Sequence, residues 1–539
     1  MSMINIGISG LNVAQSALTT TSKNISNVYT PGYNREVTVI GEAAGRGGVQ
    51  VNETQRRFDQ FVSEQLNAAT SQSKALAAYE GQISQIDNLL ADGDAGLAPL
   101  MQNFFAAVQD LTGAPSDPAT RQGVLGAADM LTSQFRSFDG YLSDMQEGVN
   151  SQVRDEVSQI NTLTGQVADL NREIALVRGR TGEAPNGLLN QRDHLVAQLS
   201  EHMDVRLNIQ DGRSYSVTLP DGQPLVNGQK AYPLEVLKAP NDPQREVVGY
   251  GGAGGKAKPL AENAIGGGTL GGLMSFRSEA LDKVQNQLGQ LTVSMGVAVN
   301  QLQAEGEDLA GAPGEPFFSV AEPRVNAYSG NRSANPASAE IDADNIDQLR
   351  AADYTLRFGA SGTVEITNKA TGERSSGQLD DDNTLSFGGV TLSFTQVPGS
   401  GDRFEVQPVR HAAGEFENLI SDLGKIAAGE PDGGSGDNRI ALQMQRLQDA
   451  PIVGGNASLT QAYSGIVNDV GNRTGVVQAN LEARQGITDQ LQAVQQSESG
   501  VNLDEEAADL LRFQQFYAAN ARVIDTASTI FDTLLGLRN

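Results

Sequence analysis

From Val501 to Leu535 the chain carries neither glycine nor proline, and Gly500 and Gly536 stand at the two ends, the punctuation of one uninterrupted helix. Steps of four and three from Leu503 pick out Leu503, Ala507, Leu510, Gln514, Tyr517, Ala521, Ile524, Ser528, Phe531 and Leu535. This is a heptad seam in which large residues alternate with small ones. Asn502 and Glu505 have the spacing of a capping box, and Asp504, Glu505 and Glu506 put negative charge on the positive end of the helix dipole. The N-terminus repeats the pattern over a shorter span: Ile4, Ile8, Leu11, Gln15, Leu18, Ser22 and Ile25 follow the same steps. A lone amphipathic helix leaves its apolar stripe in water, so each seam needs a partner. The two can serve one another, or they can be the first and last helices of a bundle packed within one chain.

Between the ends the pattern changes several times. Residues 36–40 and 48–52 read as short strands around the glycine-rich 41–48, after which helical periodicity runs from about Asp59 to Leu90 and, with breaks at 113–118 and 181–187, to about Met203. Strand and turn signals fill 205–270, helix returns from about Leu273 to Glu305, and a second β region runs from about Tyr354 to Val406 in alternating segments such as YTLRF and VTLSF. Residues 412–426 and 459–497 are again read as helical. With helix at both ends and β structure in the middle, the outgoing and returning helices must lie side by side. The expected fold is a multidomain α+β chain: terminal coiled-coil helices, a long helical-bundle body, and β-rich domains inserted in the middle of the chain. The expected units are 1–42 with 500–539 as a terminal core, 43–325 with 410–499 as a mainly helical body that includes a β-rich segment at about 205–270, and 326–409 as an outer β-rich domain.

Length and composition narrow the function. A chain of 539 residues has room for several domains at about 100–200 residues each. Lys and Arg total 38 against 65 Asp and Glu, a net charge of −27, so the mean surface field repels phosphate backbones and anionic lipid; nucleic acid and membrane insertion are poor partners for it. No stretch approaches the ~18 apolar residues of a membrane helix, and the first residues lack the basic and apolar regions of a secretory signal, which by these rules alone reads as cytoplasmic. With no cysteine, thiol catalysis and cysteine-ligated metal are excluded. Gly249, Gly251 and Gly254 spell G-x-G-x-x-G, yet Lys256–Pro259 follows where a helix would have to start. His194 and His202 are eight apart, outside zincin spacing, and read as solvated helix residues; the third histidine, His411, has no motif around it, and acidic groups such as Asp342, Asp344 and Asp347 lack the glycine and final glutamate of a calcium loop. No catalytic, cofactor-binding or metal-ligating residue is singled out.

The stretch Ser9–Arg35 carries a recognisable pattern: Ser9, Gly10 and Leu11, then Ala17 and Leu18, Asn24, Ile25 and Asn27, and Thr30, Pro31, Gly32 and Tyr33 with Arg35. It resembles the N-terminal signature of the bacterial flagellar axial proteins, the rod, hook and hook-associated family. Residues 500–537, and the inner segments 55–66, 186–200 and 300–318, are similar to the hook-associated members that form the first layer of the hook–filament junction. Gly187 and Asn190 stand where the family carries acidic residues. The resemblance implies a non-enzymatic structural protein, secreted unfolded through the flagellar type III apparatus with an export chaperone and placed at the hook–filament junction. It implies a ring of about eleven copies, with the hook protein and the other hook–filament junction protein as neighbours. The terminal helices would form the inner layer, which nominates Ile4, Ile8, Leu11, Leu18, Ile25, Leu503, Leu510, Tyr517, Ile524, Phe531 and Leu535 as assembly-interface residues. Two alternatives stay open: another axial protein, such as the hook subunit or the third hook-associated protein, and a rod-type scaffold with peptidoglycan hydrolase activity.

Overall fold

The computed structural model describes residues 2–43, 47–91, 96–183, 185–210, 214–252, 255–332 and 337–536. Gly254 of the G-x-G-x-x-G match and Leu537, at the end of the C-terminal resemblance, lie outside them. The N-terminal helix α1 (Ser2–Ser26) leads into an antiparallel hairpin of β1 (Glu36–Glu42) and β2 (Val49–Arg56) with a bulge at Val39/Ile40. The body follows as α2 (Gln60–Leu90), α3 (Leu97–Gly113), α4 (Pro118–Thr181) and α5 (Asn186–His202). After the first β region come α6 (Gly268–Phe276) and α7 (Asp282–Glu305); after the second come α8 (Arg439–Arg446), α9 (Leu459–Ser499) and α10 (Leu503–Gly536).

Local chemistry fixes the helix ends. Asp59 accepts from the Val62 amide to start α2, Asp117 caps α4 ahead of Pro118, and Gly182 closes that 64-residue helix in the left-handed region at φ 72°. Ser458 and Gln461 form a reciprocal capping box at the head of α9. Helix α9 returns antiparallel along α2, with Arg473 donating to the Tyr79 hydroxyl at 2.9 Å and the Tyr463 hydroxyl reaching the Leu90 carbonyl.

One apolar core runs through α2–α9 and the inner faces of the first β region. Its centre is aromatic, with Phe318 stacked on Phe416 at 4.8 Å and Phe104 within 6.2 Å of both Phe317 and Phe318. A second core lies in the later β region. There a five-stranded antiparallel sheet, ordered Arg324–Ala327, Arg403–Gln407, Tyr354–Phe358, Thr363–Asn368 and Arg374–Gln378, faces a three-stranded one of Ala337–Ile341, Val390–Phe394 and Thr384–Phe387. Phe394 of the smaller sheet packs on Phe358 and Phe404 of the larger, at 5.2 and 5.3 Å.

Three expectations change. Residues 412–426 are not an α-helix but an extended run with two short 3-10 turns. The spacing of Ala412, Ala413, Phe416 and Ile420 is helical, but carbonyls that a helix would need are taken from outside the segment: Arg136 donates to Phe416 O, the Ser319 hydroxyl to Glu415 O and the Ser319 amide to Glu417 O. The short helix α8 appears where no helix was expected. The histidines on α5 are half-buried rather than solvated: His194 lies under Gly32, and His202 Nδ1 sits 2.7 Å from a Glu156 carboxylate oxygen.

Candidate assembly interface

The terminal helices α1 and α10 pair antiparallel, with Gly7 facing Ile524, Gly10 facing Asn520 and Asn24 facing Glu506. On α1 the buried line is Gly7, Gly10, Ala14, Ala17, Thr21 and Asn24, flanked by Val13 and Thr20. On α10 the most covered residues are Glu506, Asp509, Phe513, Phe516, Asn520, Ile524 and Ala527. Both lines keep the four-and-three spacing, and apart from Ile524 both lie one residue before the bulky seam read from the sequence. One residue is about 100° of helix rotation, so α1 turns its small residues, and not its bulky line, toward the larger side chains of α10. A Cβ on Gly10 would stand 2.1 Å from Asn520 Oδ1, and one on Gly7 would stand 2.6 Å from Ile524 Cγ1. Glycine is what permits this approach.

The nominated residues therefore fall on the flank of the pair. Ile8 is 45% exposed, Tyr517 43% and Phe531 52%, and Leu503 and Leu535 are likewise exposed. Ile4, Leu11, Leu18, Ile25, Leu510 and Ile524 are half-covered, Ile524 because it rests on Gly7. Apart from Ile524, the bulky line is not the contact between the two helices of one chain.

The N-terminal signature has a legible mechanical role. Asn24, only 1% exposed, receives from the Glu36 amide at 2.9 Å and from the Tyr33 hydroxyl at 2.8 Å, and donates to Glu36 O and to the Glu506 carboxylate. Arg35 donates through Nε to Glu506 at 2.7 Å and through Nη1 to Glu505 at 2.6 Å, with Asp509 3.6 Å away. Its amide also binds the Ser499 carbonyl across the α9–α10 corner. Burial, then the nearby Glu36 and Glu506, push the Tyr33 phenol well above its ordinary value, so it stays a neutral donor. Glu505 is thus spent on Arg35, and the cap of α10 is Asn502 alone, whose Oδ1 accepts from the Asp504 and Glu505 amides. Ser9 Oγ accepts from the Val49 amide, and Asn27 and Thr30 bond one another in the turn that Gly32, at φ +73°, completes. Pro31 is exposed.

A second set of contacts ties this unit to α5. Asn190, buried, accepts from Asn34 at 2.8 Å and from Arg56 at 3.2 Å; Arg56 also pairs with Asp193, and Asn186 donates to Thr54 O. Gly187 is open to substitution, with nothing within 4 Å of a notional Cβ. The small-residue line on α1 and the role of Glu506 were not read from the sequence; the run of Gly7, Gly10, Ala14 and Ala17 at heptad spacing is the signal that marks the former.

Comparison with known proteins gives a consistent result. The family description "Flagellar hook-associated protein FlgK helical domain" matches residues 83–318, "Flagella basal body rod protein" matches 4–34, and "Flagellar basal body rod FlgEFG protein C-terminal" matches 495–537. The chain is 38% identical to flagellar hook-associated protein 1 of Escherichia coli (strain K12) and 36% identical to that of Salmonella typhimurium, in both cases over 100% of each chain. It is similar to the solved structure of the flagellar hook junction protein FlgK from Burkholderia pseudomallei, with a TM-score of 0.76 and 28% identity over 80% of this chain and 100% of that one.

Proposed function

The chain belongs to the family of flagellar hook-associated protein 1, a structural protein of the bacterial flagellum at the hook–filament junction, and from that premise we propose how its termini serve the assembly. Copies of the chain join through the bulky flank of the α1–α10 pair into a ring of about eleven, with the hook protein on one side and the other junction protein on the other. The chain reaches the tip by type III export, with a chaperone, and works through its interfaces rather than by catalysis. In the assembled ring it is organised as a terminal core of 1–42 and 500–539, a body of 43–325 and 410–499, and an outer β domain of 326–409.

The observation that carries this reading is the exposure of Ile8, Leu503, Tyr517, Phe531 and Leu535 on one helix pair, although seam-type residues of this size are ordinarily covered. Burying each such side chain is worth about 1.5–3 kcal/mol, a gain open to a neighbouring copy and closed to the isolated chain. Phe531→Asp tests it in cells whose own copy is deleted. The expected result is a secreted, normally folded protein that fails to cap hooks, with filament subunits lost to the medium. Normal filaments would refute the assignment of the flank. Release of wall fragments from sacculi by the pure protein would instead favour the hydrolase alternative.

A further inference from the structure

The outer β sheets meet the body along α7 and at the turn 240–242, and along α7 the contact has two unlike halves. At its far half, Val293 and Val297 join the second core, and Gly289 lets the Val409 carbonyl abut the helix, where a Cβ would stand 1.7 Å from that oxygen. At its near end is a buried charge network. Asp282, the first residue of α7, takes Arg245 on Oδ2 at 2.7 Å and Arg410 on Oδ1 at 3.3 Å. Arg410, 4% exposed, also pairs with Asp353, while Glu262 holds both Arg245, at 3.0 Å, and Arg277, at 2.6 Å.

The network joins three parts of the chain. Arg245 and Glu262 belong to the first β region; Arg277 and Asp282 bracket a π-turn, Arg277–Leu281, between α6 and α7; Asp353 and Arg410 flank the outer sheets. A π-turn is a rare and costly device, and here it widens the helix so that residues five apart, Arg277 and Asp282, both join the network. The charged cluster is flanked by two clefts of about 520 and 820 Å³, the first including Asp139, Gln146 and His411, the second Lys283, Tyr328 and Lys369.

Buried ion pairs of this kind are weak contributors to net stability but demand one geometry. We propose that the Arg245–Asp282–Arg410–Asp353 network is an orientation lock: the outer β domain pivots on the Val293–Val297 strip of α7, and the network fixes its angle to the body. Asp282 lies eleven residues from Val293, about 16 Å along the helix, which gives the lock its leverage over the pivot. With the lock open, the outer sheets keep their own phenylalanine core and swing as a unit.

The native chain has no cysteine, so a Ser158→Cys and Ser375→Cys pair, both at exposed positions, accepts two spin labels without further change. Pulsed dipolar spectroscopy on the full-length monomer then reads the body-to-outer-domain distance. The expected result is a single narrow distribution in the labelled parent, and one at least about twofold broader in Arg410→Met and in Asp353→Asn, with the near-ultraviolet dichroism of the tyrosines and phenylalanines retained. Arg374→Ala, which breaks only the exposed pair with Glu365, should leave the distribution narrow. An unchanged distribution in Arg410→Met and Asp353→Asn overturns the lock. Loss of the outer domain's fold in both also overturns it, because the network would then be part of that domain's own core.

Discussion

Arg35 is the residue on which the attachment of α10 turns, and replacing it by methionine isolates the effect. Glu506, 1% exposed, faces Arg35 Nε at 2.7 Å and Asn24 Nδ2 at 3.1 Å, while Glu505 and Asp509 share the same guanidinium. Arg35→Met leaves Glu506 with only Asn24 and Asp509 with only Arg512, while Glu505 turns to solvent. Stranding one member of a buried pair costs about 3–5 kcal/mol; since Asn24 remains and Glu505 is solvated, the lower figure, about 3 kcal/mol, applies. Little else on α10 is buried besides Ala527, so the cost falls on local detachment rather than global unfolding. At about 1.4 kcal/mol per tenfold, detachment becomes roughly 100-fold more populated. Hydrogen exchange by mass spectrometry should show Leu503–Gly536 and Ser2–Ser26 exchanging faster by about that factor, with α3 and α4 unchanged. Arg35→Met combined with Glu506→Leu should recover most of the protection, because an apolar pair of similar volume replaces the ionic one. Exchange in α10 within about threefold of the parent, or an equal loss in α4, would refute the reasoning.

Two further outcomes concern the body. Arg121, 2% exposed, donates to the carbonyls of Pro115, Leu423 and Ile426, so Arg121→Met should strand all three and cost about 3–5 kcal/mol, read as a lowered denaturant midpoint with an unchanged circular dichroism spectrum. Burial, opposed by Arg324 and assisted by Glu415, raises the Asp139 carboxyl to about 6, so the fold binds that proton more tightly than the unfolded chain and loses stability as pH rises from about 4 to 6. Asp139→Asn should therefore match the parent below about pH 4 and exceed it by up to about 2 kcal/mol above pH 6, allowing for partial exposure, in thermal unfolding across pH. In that variant the opposite slope of His411, lowered to about 4 by burial and then by Arg324 and Arg410, becomes visible as stability lost when pH falls from about 6.5 to 4.

The parts of this fold that were legible in the sequence are those with local causes. The long helices α2, α4, α9 and α10 lie where the apolar period and the breaks at 113–118 and 181–187 set them, and the alternating segments at 354–358, 363–368, 390–394 and 403–407 form strands. What escaped was set by distant partners. The apolar spacing at 412–420 is indistinguishable from that of a helix until Arg136 and Ser319 are known to take the carbonyls of Phe416, Glu415 and Glu417 that a helix would use. His202 reads as solvated until Glu156, 46 residues earlier, is placed beside it. Glu506 reads as a charge on a helix dipole, and its partner Arg35 is 471 residues away in sequence. On α1 the displaced seam has a different cause: glycine, alanine and threonine contribute little hydrophobic signal, so the apolar periodicity follows the isoleucines and leucines beside them.

That displacement bears on the assembly through the flank proposed above. Had the bulky lines of α1 and α10 met each other, the pair would have satisfied its own apolar surface and offered a neighbour little beyond polar side chains. By presenting Gly7, Gly10, Ala14 and Ala17 of α1 to α10, the chain lets the helices approach closely, and the exposed side chains Ile8, Leu503, Tyr517, Phe531 and Leu535 are held on a two-helix platform instead of on a solitary helix. The Asn24–Arg35–Glu506 contacts then fix the register of that platform, because Glu506 can reach both donors in only one placement of α10 along α1. Preorganisation of this kind lowers the entropy a neighbouring copy must remove on docking, and so raises the share of each buried Phe531 or Tyr517 that appears as binding. On this reasoning Phe531→Asp and Arg35→Met weaken assembly by separate routes, the first by deleting contact area and the second by loosening its support. The penalty of Phe531→Asp should therefore shrink in an Arg35→Met background, and two penalties that simply add would separate the flank from the latch.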